Sequence, residues 1–402
     1  MLLSVKNTFF GRGNLTAMSA LIALFFLFIA AKEADTGRQK IGTTPSVFSQ
    51  ILFLLNDKGF RVLSWSAKPD GRKVNEFRPS SLEIHDNLSE YGFFEGAINA
   101  QRPAADVVPY ALNAPLFSDF AQKLRFIRLP KGATVAYNPD SVLQFPVGTA
   151  VIKTFYYVND VKNEKKGRRL IETRLLLHQE NGWMAYPYVW NAEQTDATLE
   201  FAGGDATVVW KDEKGTKQSL EYVIPNRNQC RGCHERGAVM TPIGPSARQL
   251  NGHFSYVENT ENQLVNWKKR EILRGLPDDL ASVPKASNYS DATAKLDDRA
   301  RAYLDINCAH CHNQTGQAMT SGLYLDWKTM DSTALGFQKT PVAAGKGSGN
   351  LKYDIVKGKP SESILLYRMR STDAGEMMPE LGRKRVHTEG VELIKDWIKS
   401  LR

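Results

Sequence analysis

The chain has 402 residues, of which 42% are hydrophobic and 24% are charged, and its formal net charge is +9 at pH 7. These values are typical of a globular chain with two or three domains, and they exclude a largely disordered or collagen-like protein. The basic charge favours acidic partner proteins or an anionic membrane surface.

The predicted first segment, residues 1–34, has the pattern of a secretory signal peptide. Lys6 and Arg12 precede an uncharged apolar run from Ala17 to Ala31, and small residues at its end suit cleavage. The run is shorter than the about 20 residues that a membrane-spanning helix needs. The pattern therefore predicts export, with an uncleaved N-terminal membrane anchor as the alternative.

An irregular arm is predicted for residues 35–108. It contains short helical patterns at Val47–Leu55 and Leu88–Phe94, separated by polar stretches with Pro69 and Pro79 that interrupt regular structure.

A β-rich domain is predicted for residues 109–225. Short runs rich in β-branched and aromatic residues alternate there with Gly, Pro, Asn and Asp turn signals, which is typical of an antiparallel sandwich. The predicted strands are Leu124–Leu129, Val142–Phe145, Val151–Tyr157, Leu170–Leu177, Trp183–Trp190, Thr207–Trp210 and Leu220–Ile224. The aromatic residues of Trp183–Trp190 are expected to fill the core of the sheet, and a carbohydrate-binding or docking surface is the alternative.

The strongest signal is a five-residue pattern that occurs twice and uses every cysteine of the chain. Residues 230–234 read CRGCH and residues 308–312 read CAHCH. The pattern C-x-x-C-H is the attachment site of c-type haem, in which the two cysteines form thioethers and the histidine binds the iron. We therefore expect two covalent haems, bound through Cys230, Cys233, Cys308 and Cys311, with His234 and His312 as axial iron ligands.

Two other roles of paired cysteines fit less well. Four-cysteine zinc sites usually separate their two pairs by roughly 15–20 residues, far fewer than the number between Cys233 and Cys308. A thioredoxin-like redox pair needs a single CxxC in a βαβ setting, which the sequence does not suggest. Haem attachment also agrees with export, because c-type haem is assembled outside the bacterial cytoplasm.

The first motif follows the β-rich domain, soon after Pro225, and the second follows directly on a predicted helix. Residues 226–290 form the predicted first haem-binding segment, and residues 291–402 a cytochrome c-like domain with the second haem. In this last domain Thr293–Ile306 and Glu389–Leu401 have the periodicity of amphipathic helices, and we expect them to pack against each other beside the haem. The predicted fold class is thus α+β and multidomain: an antiparallel β-sandwich-like N-terminal domain followed by mainly helical cytochrome c-like haem domains.

The sixth ligand of the second iron is expected from the loop before the last helix. Met378 is the first choice because it directly precedes a proline, and Met377 is the second choice. His310, between the two cysteines of the second motif, is expected to face solvent. The first iron is either five-coordinate or bound by a residue that sequence alone does not identify. His253, His178, Met184 and His85 are the candidates for this position, whereas Met240 is too close to His234 along the chain to reach across the haem.

Several segments resemble a family of bacterial di-haem c-type cytochromes. They read VPYALNAPLFSD (108–119), FPVGTAVIKTF (145–155), ETRLLLH (172–178), NRNQCRGCHERG (226–237), PIGPSARQLN (242–251) and RAYLDINCAHCHNQTG (301–316). Similar modules are associated with quinoprotein sugar dehydrogenases. The resemblance covers roughly residues 85–402 and implies two covalent haems and electron transfer in the periplasm, but no substrate.

The sequence therefore predicts a periplasmic di-haem cytochrome that carries electrons from a dehydrogenase or quinol donor to a downstream acceptor. The alternative is a di-haem peroxidase-like enzyme in which one haem is open to peroxide. Redox proteins with acidic docking surfaces are the expected partners, and an exported haem protein is not expected to bind nucleic acid. Attachment to the inner membrane through the N-terminal apolar segment remains an alternative to a free periplasmic protein.

Overall fold

The computed structural model describes residues 49–56, 59–66 and 82–402. The chain divides into two compact units, Met1–Phe77 and Arg78–Arg402. The predicted signal or anchor segment, residues 1–34, lies outside the described residues. Within the described part of the chain, no helix combines the length and the apolar character needed to span a membrane.

The first unit contains an antiparallel hairpin of β1 (Ser49–Asn56) and β2 (Gly59–Ser66), in which Asn56 pairs with Gly59. The helix predicted for Val47–Leu55 is therefore wrong over its described part, Ser49 to Leu55. A short apolar run has no periodicity that separates a strand from a helix, so pairing with a neighbouring segment decides between them.

The centre of the second unit is one antiparallel sheet of six strands. The strands of the 107–224 region are β3 (Val107–Pro109), β4 (Gln122–Arg128), β5 (Val135–Ala136), β6 (Ala150–Val158), β7 (Arg168–Gln179), β8 (Gly182–Trp190), β9 (Ala197–Leu199), β10 (Gly204–Lys211) and β11 (Lys217–Ile224). The sheet has the order β3-β4-β6-β7-β8-β9, and β10 and β11 form a separate two-stranded ribbon.

Side chains alternate between two buried faces of the six-stranded sheet. On one face, a row of paired residues crosses the strands and consists of Phe126, Ile152, Leu175 and Tyr186. On the other face, the adjacent row consists of Ile127, Val151, Leu176 and Ala185. Because successive residues of a strand point to opposite faces, a sheet buried on both sides needs apolar residues in both phases. Strand β7, with its run LLL, meets that need.

The predicted β-sandwich is wrong, because irregular segments rather than a second sheet cover the two faces. Leu88 and Phe93, in the segment before β3, pack on one face. Leu250, Leu264 and Trp267, which follow the ribbon, belong to the core on the other face. Since both faces are buried in this way, the sheet needs no partner sheet to exclude water.

The remainder of the chain has short helices joined by long loops. The helices are α1 (Arg227–His234), α2 (Ala247–Leu250), α3 (Gln263–Lys269), α4 (Leu296–Asn307), α5 (Ile364–Arg370) and α6 (Thr388–Ser400). The short strands here are β12 (Glu235–Arg236), β13 (Val239–Met240), β14 (His253–Ser255), β15 (Thr260–Asn262) and β16 (Leu273–Arg274), of which β16 pairs in parallel with β5.

The prediction of mainly helical cytochrome c-like domains is therefore also wrong. Between α4 and α5 the chain contains Pro341 and Pro360, and Gly336, Gly349 and Gly358 adopt positive φ angles that interrupt a continuous α-helix. The second unit is a β-rich structure to which a few short helices are added.

Two amphipathic helices do form and pack where the sequence predicts them. Gly390 of α6 lies against the ring of Tyr303 of α4, and a Cβ atom at Gly390 would come within 2.3 Å of the Tyr303 hydroxyl. Trp397 of α6 is buried and donates its Nε1 hydrogen to the carboxylate of Asp297 at 2.7 Å. The contact places Tyr303 beside the second CxxCH motif.

Candidate functional site

The first motif lies on α1, the helix that follows the β-ribbon. Asn226 caps this helix: its side chain accepts from the Gln229 N–H at 2.9 Å, and the Gln229 side chain accepts from the Asn226 N–H at 2.9 Å. Residues three and four apart share one face of a helix. Cys230, Cys233 and His234 therefore project from the same side of α1.

The second motif lies at the C-terminal end of α4. Cys308 caps the helix, and its carbonyl accepts from the backbone N–H groups of Cys311 at 3.1 Å and His312 at 2.9 Å. The hydrogen bonds continue the helical turn through the motif, so Cys308, Cys311 and His312 are held on one compact turn.

Both motif histidines have the state that an iron ligand requires. The Nδ1 atom of His234 lies 2.9 Å from the carbonyl of Thr241, which directs Nε2 away from that bond. The Nδ1 atom of His312 lies 3.5 Å from the Ser321 hydroxyl. Burial lowers the pKa of both imidazoles to about 4, so both are neutral at pH 7. A neutral imidazole oriented through Nδ1 presents Nε2 to a metal.

The two motifs, far apart in sequence, are in contact. The Cys311 sulfur lies 3.9 Å from the carbonyl oxygen of Gly232, which is inside the first motif. The neighbouring Cys311 thiol, with a smaller contribution from His310, lowers the pKa of Cys233 below its ordinary value. All four cysteines are free thiols in the structure. The second cysteine of each motif therefore lies at the junction between them.

Two adjacent cavities open on either side of this junction. The first cavity contains Cys230, Cys233 and His234 in its lining. The second cavity contains Cys308, Cys311 and His312. Their linings share Cys233, Asn307, Cys308, His310, Met369, Met378, Pro379, Glu380 and Leu381. Each motif thus borders its own cavity, and the wall between the cavities includes residues of both motifs.

The loop methionines reach these cavities. Met378 lines both, and Met377 lines only the first. Arg383, which is buried, fixes the loop: its guanidinium donates to the carbonyl of Met378 at 2.8 Å and to that of Ser371 at 3.0 Å. The thioether of Met378 is therefore the loop sulfur available on the side of His312.

The candidate sixth ligands of the first iron do not line the cavities beside the two motifs. Neither cavity is lined by any of Met240, His253, His178, Met184 and His85. His387, which the sequence reasoning did not consider, does line the first cavity. Its Nδ1 lies 3.0 Å from the Tyr303 hydroxyl and its Nε2 lies 3.7 Å from Glu389, so both ring nitrogens face other groups. His387 forms part of the wall, and its ring stacks on Phe117 with centroids 4.1 Å apart.

The expectation that His310 faces solvent is wrong. His310 is 6% exposed, lines both cavities, and its Nδ1 atom has no hydrogen-bond partner among the described residues. The residue between the two cysteines is turned inward because the first motif covers it, a long-range contact that the local pattern does not reveal.

Three cations on the sheet also line the first cavity and were missed by the sequence reasoning. They are Arg125 of β4, Lys153 of β6 and Arg174 of β7. The sequence did contain a signal for them. Each cation lies two positions from a buried apolar residue of its own strand and therefore points to the same face of the sheet; these neighbours are Ile127, Val151 and Leu176. A charged residue at an inward position of a strand indicates a site or an ion pair.

The residues around both cavities fit covalently attached haem. Each cavity offers both cysteines and the neutral histidine of one motif together with methionine sulfur, and the first adds cations suited to carboxylates. Among the residues that the structure describes, no group of three or more His, Cys, Asp or Glu side chains is arranged to hold a metal ion.

A scan against protein-family models matched no family, and searches of the curated proteins and of the solved structures found no similar protein.

Proposed function

We propose that this protein is an exported di-haem c-type cytochrome that transfers electrons between a dehydrogenase or quinol donor and a downstream acceptor. The observation that carries the proposal is the contact between the two CxxCH motifs, where the Cys311 sulfur lies 3.9 Å from the Gly232 carbonyl oxygen. When bound, each haem supplies an iron that cycles between Fe(II) and Fe(III).

The side chains have separate tasks in this proposal. Cys230 and Cys233 hold the first haem and Cys308 and Cys311 the second, through thioether bonds to the vinyl groups. His234 and His312 bind the irons through Nε2, since their Nδ1 atoms face Thr241 and Ser321. Met378 is the sixth ligand of the second iron. A thioether ligand favours Fe(II) and raises the reduction potential.

Proximity of the two sites supports an internal relay. The second cysteine of each motif lies at the junction, so the thioether edges of two attached haems would meet there, and Met378 lines both cavities. A chain in which electrons enter at one haem and leave at the other needs a short path between the two haems, and this junction offers one. An enzyme with two independent active sites does not need such a path.

Location and partners follow from sequence features. The predicted export signal and the requirement of c-type haem for assembly outside the cytoplasm favour the bacterial periplasm, with anchoring to the inner membrane as a variant of the same proposal. The net charge of +9 favours redox partners with acidic docking surfaces. Nucleic acid is not proposed as a partner.

The test is a haem count and a visible spectrum of the protein expressed with the c-type haem maturation system. We expect two covalent haems per chain in the pyridine haemochrome assay. When carbon monoxide is added to the reduced protein, the spectrum of the second haem should not change, because Met378 is its proposed sixth ligand. Absence of covalent haem would overturn the proposal. Two haems of which one binds carbon monoxide, together with turnover of peroxide, would favour the peroxidase-like alternative.

A further inference from the structure

Three cations form a row across the sheet beside the first motif. Arg125 on β4 is the direct register partner of Lys153 on β6, and Lys153 is the register partner of Arg174 on β7. Like charges directly opposite each other on neighbouring strands repel, and they repel more strongly where water is excluded. A row of three on a largely buried face is therefore unfavourable unless anions balance it.

Among the described residues, a carboxylate is paired with the positive charge at one end of this row. Arg174 forms an ion pair with Glu172 at 2.5 Å, and Glu172 also accepts from the Tyr222 hydroxyl at 2.6 Å. Burial alone would lower the pKa of Arg174, but the Glu172 carboxylate outweighs it and raises that pKa. The Glu172 carboxylate is thus already committed to Arg174 and Tyr222.

Arg125 and Lys153 have no directly bound anion among the residues that the structure describes. Among the described residues, neither side chain makes a hydrogen bond or a salt bridge, although Arg125 is only 8% exposed. Lys153 lies over the ring of Phe155, with Nζ 4.7 Å from the centroid. Burial lowers the pKa of Lys153 well below its ordinary value, and the charges of Arg125 and Arg174 lower it further; Glu172 and Cys233 act in the opposite direction but do not reverse the shift. Both side chains line the cavity that contains Cys230 and His234.

We infer that Arg125 and Lys153 bind the two carboxylates of the haem attached at Cys230 and Cys233. The inference rests on the proposed function and deepens it. The vinyl groups and the carboxylates of a c-type haem project from different edges of the macrocycle, and the first cavity has cysteines and unpaired cations in one lining. Two carboxylates supply the two negative charges that Arg125 and Lys153 lack.

This assignment has a consequence for redox chemistry. A cation beside a haem carboxylate offsets its negative charge, which would otherwise stabilise Fe(III) relative to Fe(II). Loss of Arg125 or Lys153 should therefore lower the reduction potential of the first haem and leave that of the second unchanged, since the second cavity has neither residue in its lining.

The experiment is spectroelectrochemical titration of the two-haem protein and of Arg125→Gln and Lys153→Gln. Each variant should shift the reduced-to-oxidised ratio of one haem at least tenfold at a fixed potential, which is 59 mV for one electron. Arg169→Gln is the matched control, because it removes a cation from the same sheet at an exposed position on β7. Arg125→Lys keeps the charge and should retain most of the wild-type potential, even if Arg125→Gln matures poorly.

The outcomes separate the inference from the proposed function. Wild-type protein without covalent haem overturns both. Two haems with potentials that do not change in Lys153→Gln overturn the inference alone. Addition of inorganic phosphate to the wild-type protein tests whether small anions, instead of the haem carboxylates, bind Arg125 and Lys153. A phosphate-dependent change in the spectrum of one haem would show that the two cations are open to small anions, and it would also overturn the inference.

Discussion

The carboxylate of Asp119 accepts hydrogen bonds from the backbone N–H groups of Lys384, at 2.8 Å to either oxygen, and of Arg385, at 2.7 Å. Asp119 precedes β4, and Lys384 follows the methionine loop. This buried contact therefore attaches the loop that carries Met378 to the edge of the sheet, and it links the position of a proposed iron ligand to a residue outside both haem motifs.

Replacing Asp119 with Ala should destabilise the second unit by about 3 kcal/mol, because hydrogen bonds to a charged acceptor contribute about 1.5–3 kcal/mol each and two N–H donors would be left unpaired. Urea unfolding measures the change. Asp205→Ala is the control: Asp205 faces the same segment through an exposed pair, 3.9 Å from Lys384 Nζ, and such pairs contribute about 0–1 kcal/mol. Equal effects of the two variants would contradict this account.

Arg383 should control methionine ligation without touching iron. Its guanidinium donates to the carbonyls of Met378 and Ser371, so Arg383→Met frees the loop while keeping much of the side-chain volume. We expect the far-red charge-transfer absorption of thioether-bound Fe(III) to weaken or disappear while both haems remain attached. Lys384→Met alters the exposed neighbour and should leave that absorption intact. An unchanged absorption in Arg383→Met would show that the loop is fixed by other contacts.

His387 should make stability depend on pH. Burial lowers its pKa to about 4 from the ordinary 6.5; nearby Glu389 acts in the opposite direction, and Lys123 adds to the lowering. Between these values the unfolded state holds a proton that the folded state lacks, so stability rises with pH from 4 to 6.5 and is lost as pH falls through this window. At 1.36 kcal/mol per pKa unit the contribution is at most about 3 kcal/mol.

Urea unfolding of the wild-type protein and His387→Gln between pH 4 and 7 measures this contribution. Glutamine can still hydrogen-bond to Tyr303 but does not titrate, so the variant should show a shallower pH slope. His253→Gln makes the same substitution at an exposed position of β14 and should keep the wild-type slope. Parallel curves for the wild-type protein and His387→Gln would exclude His387 as the source.

Most strands could be predicted from the sequence because their signals are local, and the two CxxCH motifs are equally local signals. Strands β4, β6, β7, β8, β10 and β11 match predicted runs, since alternating β-branched and aromatic residues are visible in any short window. Val142–Phe145 was predicted as a strand but makes only isolated bridges, at Val142 and Gln144. Its composition is suited to a strand, but no neighbouring segment offers it a continuous partner.

The long-range features could not be predicted in this way. The register that aligns Arg125, Lys153 and Arg174 depends on the pairing of three strands, and the burial of His310 depends on the first motif packing over the second. The covering of the sheet by Leu88, Phe93 and Trp267 instead of by a second sheet is also a tertiary choice. Short apolar segments without periodicity do not indicate which surface they will cover.

Met377 and Met378 form a matched pair for identifying the sixth ligand of the second iron. They are chemically identical neighbours on one loop, but only Met378 lines the cavity that contains His312. Met378→Leu removes the thioether and keeps an apolar side chain of similar size, so we expect the far-red absorption of that haem to be lost and its reduction potential to fall. The reduced variant should also bind carbon monoxide at one haem.

Met377→Leu should leave the second haem unchanged in all three measurements, because Met377 lines only the first cavity. The reverse pattern, with loss of the far-red absorption in Met377→Leu alone, would assign the ligand to Met377. Loss in neither variant would direct attention to Met369, the other methionine that lines both cavities. Met369 lies on α5 rather than on the loop, so its use would make the second iron site independent of the contact between Asp119 and the loop, and Asp119→Ala would then leave the spectrum unaltered.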